Sequence, residues 1–112
     1  MEMSVEEIEG GATRAALRGR LDVVGSGLIE LKFSAIAGSR RALIVDLSEV
    51  SFISSMGIRL LVIGAKAVAG KGGKMVVLSP SENLATVLTT ARIDAIIPIF
   101  YERDAAVAAV RV

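Results

Sequence analysis

The chain contains no cysteine, no histidine and no tryptophan. Without thiols there is no disulfide framework, no thiolate nucleophile and no thiolate-held metal or cluster. Without imidazoles there is no Ser-His-Asp triad and none of the usual zinc sites. Aromatics are scarce, three Phe and one Tyr, which leaves little on which the bases of a single strand can stack. No charge of one sign dominates. The 13 Lys+Arg and 12 Asp+Glu leave a net charge of +1, so no bulk attraction to nucleic acid or to an anionic membrane is expected. Long apolar runs are missing too. Leu60-Leu61-Val62-Ile63-Gly64-Ala65 stops between Arg59 and Lys66, whereas a spanning helix needs about 20 apolar residues. The opening Met1-Glu2-Met3-Ser4-Val5-Glu6-Glu7 is acidic and has neither a basic nor an apolar signal region. A cytoplasmic protein without direct membrane insertion is expected.

What is present is a core. Of 112 residues, 53% are hydrophobic, above the roughly 45–50% of an average globular chain. At roughly 150 residues per domain, residues 1–112 form one domain.

Residues 4–21 read as a hairpin turning at Gly10-Gly11, a dipeptide that accepts positive φ. That turn sets Glu7 opposite Arg14. Thr13, Ala15, Leu17, Gly19 and Leu21 alternate with Arg14, Ala16, Arg18 and Arg20, one face dry and one wet. Gly25-Ser26-Gly27 then breaks the chain. Ser26 caps a helix to about Ala37, with Leu28, Leu31, Phe33 and Ile36 as its buried stripe. The apolar run 42–47 reads as a central strand and 48–55 as a loop. A helix follows over 55–69, with Arg59 and Lys66 on its wet side. Residues 74–78 form a second buried strand. Ser79 caps the next helix, Pro80 and Glu82 suit its first turn, and Leu84, Val87, Leu88 and Ala91 share a face. A last strand covers 96–100, at an edge because of Pro98, and a short helix begins at Asp104. The order β-β-α-β-α-β-α-β-α specifies an α/β domain. Its sheet is mixed and mostly parallel, with an N-terminal antiparallel hairpin and four helices. Strands 42–47 and 74–78 are expected to be adjacent and parallel.

Few residues suggest chemistry. Gly70-Lys71-Gly72-Gly73-Lys74 lacks the phosphate-loop spacing and joins a helix to a strand, the reverse of a phosphate loop, so it reads as a helix stop. Arg14, Arg18, Arg20, Arg40 and Arg41 have no interleaved aromatics and read as a solvated face rather than a nucleic-acid site. Asp46 ends the first central strand. Either it accepts hydrogen bonds from the turn at Leu47-Ser48, or it belongs to a site at the carboxyl end of the sheet. Asp22, closing Gly19-Arg20-Leu21-Asp22, carries the same two readings. Ser54 and Ser55 precede an apolar helix, where one of them caps it. A phosphate is also tolerated there, because free amides and the helix dipole favour an anion. Arg59 lies one turn beyond Ser55.

The stretch Asp46-Leu47-Ser48-Glu49-Val50-Ser51-Phe52-Ile53-Ser54-Ser55-Met56-Gly57-Ile58-Arg59-Leu60-Leu61 resembles the signature of STAS domains, most of all the bacterial anti-sigma factor antagonists. Gly19-Arg20-Leu21-Asp22 and Gly72-Gly73-Lys74-Met75-Val76-Val77 resemble two further family segments. The resemblance implies that Ser55 is the phosphorylated serine, with Ser54 as the alternative acceptor. It places Asp22 and Asp46 on acidic positions near it. Gly57 falls on a glycine that lets the helix start pack closely. Ser54 departs from the family pattern, standing where an Asp is usual, and Met56 replaces a frequent small residue. Asp22, Asp46, Ser54, Met56, Gly57 and Arg59 are the implied partner-binding residues. The implied function is a partner switch. The unphosphorylated protein binds an anti-sigma factor that is also a serine kinase, phosphorylation ends binding, and a serine phosphatase resets the cycle. The protein is then not an enzyme and needs no cofactor or metal of its own. The alternative is a constitutive STAS subunit of a membrane transport or lipid-trafficking complex.

Overall fold

The computed structural model describes residues 1–111. Strand β1 (Glu2–Glu7) pairs antiparallel with β2 (Thr13–Leu21), and β2, β3 (Ala42–Ile53), β4 (Lys74–Leu78) and β5 (Ile99–Phe100) run parallel in the spatial order β1-β2-β3-β4-β5. The crossovers contain α1 (Val23–Ser39), α2 (Ser55–Ala69) and α3 (Glu82–Thr90), and α4 (Arg103–Val110) closes the chain. Parallel strands added one after another through crossovers of one hand put all the connecting helices on one face. Accordingly Ile29 and Phe33 of α1, Leu61 and Val68 of α2, and Leu84 and Leu88 of α3 bury one side of the sheet. The other side packs Ile44, Val76 and Leu78 against Ala106, Val107 and Val110 of α4. The expected neighbours β3 and β4 are parallel, in register from Ala42↔Lys74 to Asp46↔Leu78. Among the described residues no helix is long and apolar enough to cross a membrane.

Five local expectations are corrected. The hairpin turns through a 3₁₀ turn, Glu9–Gly11, closed by the Ile8 N–H donating to Ala12 O at 2.8 Å. That loop is one residue longer than a Gly10-Gly11 turn and shifts the register, so Arg14 faces Glu6, at 2.9 Å, instead of Glu7. Helix α1 starts at Val23 and not near Ser26, because Asp22 caps it by accepting from Gly25 N at 2.8 Å. Its buried positions include Ile29, Phe33 and Ala37, while Leu28 and Leu31 stand in solvent. Strand β3 runs on to Ile53, because the long β2 supplies partners as far as Leu21↔Ile53. Two register shifts in that pairing replace the two-residue alternation with a spacing of three between buried Val50 and Ile53, which hides the strand in the sequence. Helix α3 is capped by Ser81, accepting from Leu84 N at 3.2 Å, and not by Ser79, which has a left-handed φ of 53°. Finally, β5 keeps two residues, preceded by a 3₁₀ turn at Ile93–Ala95.

Leu21 O sits where β2 hands over to α1, and it accepts from Ser54 N at 3.0 Å where β3 hands over to α2. This bond ties the two helix starts together and builds the site described next.

Candidate functional site

Two helix N-termini lie side by side at the carboxyl ends of β2 and β3. Each is capped by its own side chain: Asp22 for α1, and Ser54 for α2, whose Oγ accepts from Gly57 N at 3.4 Å. The Ser54 hydroxyl also donates to Leu21 O at 3.3 Å. Ser54 is therefore the capping serine, and Ser55 is the first residue of α2, exposed to solvent. No hydrogen bond holds the Ser55 hydroxyl among the described residues. One turn on, the exposed Arg59 makes no ion pair among them.

Gly57 explains how the two termini come so close. A Cβ there would lie 2.5 Å from Leu21 O, 2.8 Å from Leu21 Cγ and 2.9 Å from Ile53 Cγ1. In an ordinary helix Gly→Ala gains up to about 1 kcal/mol. Gly57→Ala is instead expected to cost about 1–3 kcal/mol, as overpacking does. A urea midpoint raised by the substitution would contradict this geometry.

The Gly25 amide holds the Asp22 carboxyl below the usual carboxylate range, against a smaller effect of desolvation and with help from Arg20. The site thus carries a carboxylate at neutral pH. The Arg20 guanidinium, whose Nε is 3.4 Å from Asp22 Oδ2, lies 4.3 Å above the Phe52 ring centroid. Arg20 and Phe52 were invisible as site residues in the sequence, one read as part of a solvated face and the other as loop. The signal that links them is the pairing Arg20↔Phe52 in the extended β3. Beside Ser55, a cleft of about 110 Å³ runs between α1 and α2, lined among others by Val23, Gly27, Glu30, Met56, Arg59 and Ile63. The buried Ser26 hydroxyl, also in its lining, has no hydrogen-bond partner among the described residues.

The structure brings together Asp22, Ser54, Ser55, Met56, Gly57 and Arg59. Asp46 is not with them. It lies in the middle of β3, and strand alternation puts it on the side of Ile44, which packs against α4. Only 6% exposed, Asp46 takes the Arg14 guanidinium on Oδ2 at 2.7 and 3.0 Å, and the Ser48 N–H on Oδ1 at 2.9 Å. Burial pushes its carboxyl up, but the Ser48 amide and Arg14 outweigh burial and bring it below the usual range. A carboxyl lowered by folding stabilises the protein above its unfolded pKa, and that contribution is lost as the pH falls through the folded one. Asp46→Asn is therefore expected to cost about 2 kcal/mol at pH 7, with Arg14 partly compensated by Glu6. The gap between variant and wild type narrows in acid once Asp46 itself is protonated. Denaturation curves at pH 7 and pH 3 check both statements.

The other strand arginines are also matched by acids, Arg18 with Glu2 at 3.7 Å and Arg20 with Asp22 at 3.4 Å, and Arg40, at the end of α1, pairs with Glu7 at 3.2 Å.

A family model described as the STAS domain matches residues 4–106. The chain belongs to the STAS domain family. Among solved structures, this STAS domain is similar to an anti-sigma factor antagonist from Mycobacterium paratuberculosis, at 27% identity and TM-score 0.87, covering 99% of this chain and 94% of that one. It is similar at 26% identity and TM-score 0.85 to an anti-sigma-factor antagonist (STAS) domain protein from Planctomyces limnophilus, covering 96% of each chain. The Bacillus cell fate determinant SpoIIAA in its phosphorylated form shares the fold, at 19% identity and TM-score 0.72, over 96% of this chain and 98% of that one. A search of curated protein sequences returns no significant match.

Proposed function

We propose that this STAS domain is an anti-sigma factor antagonist whose binding is switched by phosphorylation of Ser55. The observation that carries the reading is the exposed, unbonded Ser55 hydroxyl on the first residue of α2. It is supported by the similarity to anti-sigma factor antagonists over nearly the whole chain. The unphosphorylated surface around Asp22, Ser54, Met56, Gly57 and Arg59 binds an anti-sigma factor that is also a serine kinase, and this frees the sigma factor. The kinase transfers the γ-phosphoryl group of ATP to Ser55 Oγ, whose proton passes to the kinase or to water, and ADP leaves. A serine phosphatase hydrolyses the ester and resets the switch. ATP and magnesium belong to the kinase. The domain itself performs no catalysis and acts in the cytoplasm beside the transcription machinery.

The test is mass spectrometry after incubation with the cognate kinase and ATP. Phosphate is expected on Ser55 and absent from Ser55→Ala, while Ser54→Ala is still modified. Phosphate on Ser54 or Ser51 would move the acceptor. Stable partner binding with no phosphate anywhere would favour a constitutive subunit of a transport complex.

A further inference from the structure

The face of α1 that points away from the sheet carries no charge. Its N-terminal half presents Val24, Leu28 and Leu31, exposed by 72%, 68% and 88%. Its C-terminal half presents Ser34, Ala35 and Gly38, all exposed. Leu28 and Leu31 are the residues whose spacing suggests a buried stripe, yet the fold leaves them in water. Such departures from the expected pattern mark surfaces with a task of their own. Positions 24, 28, 31, 35 and 38 advance by alternating steps of four and three, the seam of a helix pair. On one flank Lys32 Nζ donates to Met3 O at 2.8 Å. On the other, the α1–α2 cleft is lined by the charged Glu30 and Arg59 and also by the exposed Val23, Met56 and Ile63. An apolar patch bordered by charges is the anatomy of a protein interface. A membrane-surface helix would instead show a row of Lys and Arg beside its apolar face, and α1 has only Lys32, already engaged.

We propose that this face is a self-association surface on which two copies of the chain pack α1 against α1, antiparallel, about a two-fold axis at Leu31. The order of side-chain sizes makes the face complementary to itself. In the antiparallel pair Val24 faces Gly38 of the second copy, Leu28 faces Ser34, and the two Leu31 side chains meet on the axis. A parallel pair would oppose large to large and small to small, leaving gaps along its C-terminal half. The antiparallel contact is isologous and closes at two copies. One helix per copy supplies fewer residues than the roughly 20–30 a side of a standard interface. The dimer is therefore concentration-dependent rather than obligate.

Sedimentation of the full chain from about 5 to about 500 µM brackets such a weak interface. The mean mass is expected to rise from monomer to dimer across this range. Leu31→Glu and Leu28→Glu stay monomeric, with Tm within about 2 °C of wild type because both positions are exposed. Val87→Glu, a similar change at an exposed position on α3, still dimerises. The absence of cysteine allows a geometric test. Under mild oxidation Leu31→Cys crosslinks across the axis. Val24→Cys does not, since the two copies of residue 24 lie about 20 Å apart and a disulfide spans Cα atoms less than about 7 Å apart. A monomer at every concentration, a dimer that survives Leu31→Glu, or equal crosslinking through Val24→Cys would overturn the proposal.

Discussion

A phosphate on Ser55 is expected to weaken the complex with the anti-sigma partner about a thousandfold, a loss of about 4 kcal/mol, while Tm moves by only a few degrees. The two effects separate because of where Ser55 sits. Its side chain projects from the first turn of α2, where unsatisfied amides and the helix dipole accept added negative charge. Arg59, one turn on, can pair with the phosphate for about 1 kcal/mol or less, since both groups are in water. The fold therefore tolerates the modification. A docked partner does not. It would have to desolvate a group carrying about −1.5 to −2 charges beside the Asp22 carboxylate, which is already ionised. Ser55→Asp adds one charge and fewer acceptor oxygens, so its loss of affinity is smaller than that of the phosphoprotein. Ser55→Ala retains binding. Titration calorimetry of the four forms against the partner, with a thermal melt of each, measures both quantities. Equal affinities for the phosphorylated and unmodified proteins would end the switch reading.

Leu61→Ala is expected to destabilise the domain by about 2–5 kcal/mol, the range for truncating a buried leucine. Leu61 is fully buried in the layer between α2 and the sheet. Collapse around the lost side chain is limited, because its helix already packs closely. One turn away, Gly64 touches the Phe33 ring so tightly that a Cβ would lie 2.5 Å from Phe33 Cε2. At about 4–8 °C per kcal/mol for a domain near this size, Tm falls by at least about 8 °C. Ile63→Ala on the same helix provides the contrast. Ile63 is 49% exposed, so its truncation costs a small fraction of that amount. Chemical denaturation of the pair settles the point, and equal midpoints would mean that α2 is not buried as described.

Much of this was legible in the chain because the signals are local and strong. The apolar runs at 42–47 and 74–78 are too continuous for anything but strands covered on both faces. The apolar girth of 55–69, stopped by glycines, specifies a buried helix with Arg59 and Lys66 outside. The ordered signature around Ser55 identifies the family. Local chemistry also limited the capping of α2 to Ser54 or Ser55, though only the bond from Gly57 N to Ser54 Oγ assigns it.

What the sequence could not decide depends on partners distant along the chain. β3 continues through Ser48, Glu49 and Ser51 because β2 is long enough to pair with it, and its bulges remove the alternation by which a strand is recognised. Asp46 looked like the end of a strand. It becomes an ion-pair partner of Arg14 because β2 pairs parallel with β3 there, in register at Arg14↔Ile44 and Ala16↔Asp46, and the extension to Ile53 makes it internal to the strand. One residue in the hairpin loop decides whether Arg14 meets Glu6 or Glu7. The choice of buried face on α1 is likewise tertiary. The wheel offers either Leu28 and Leu31 or Ile29, Phe33 and Ala37, and burying a comparable apolar area favours both about equally. Close packing decides between them. Gly64 of α2 leaves room for the Phe33 ring, so the helix turns Phe33 inward and leaves Leu28 and Leu31 in water.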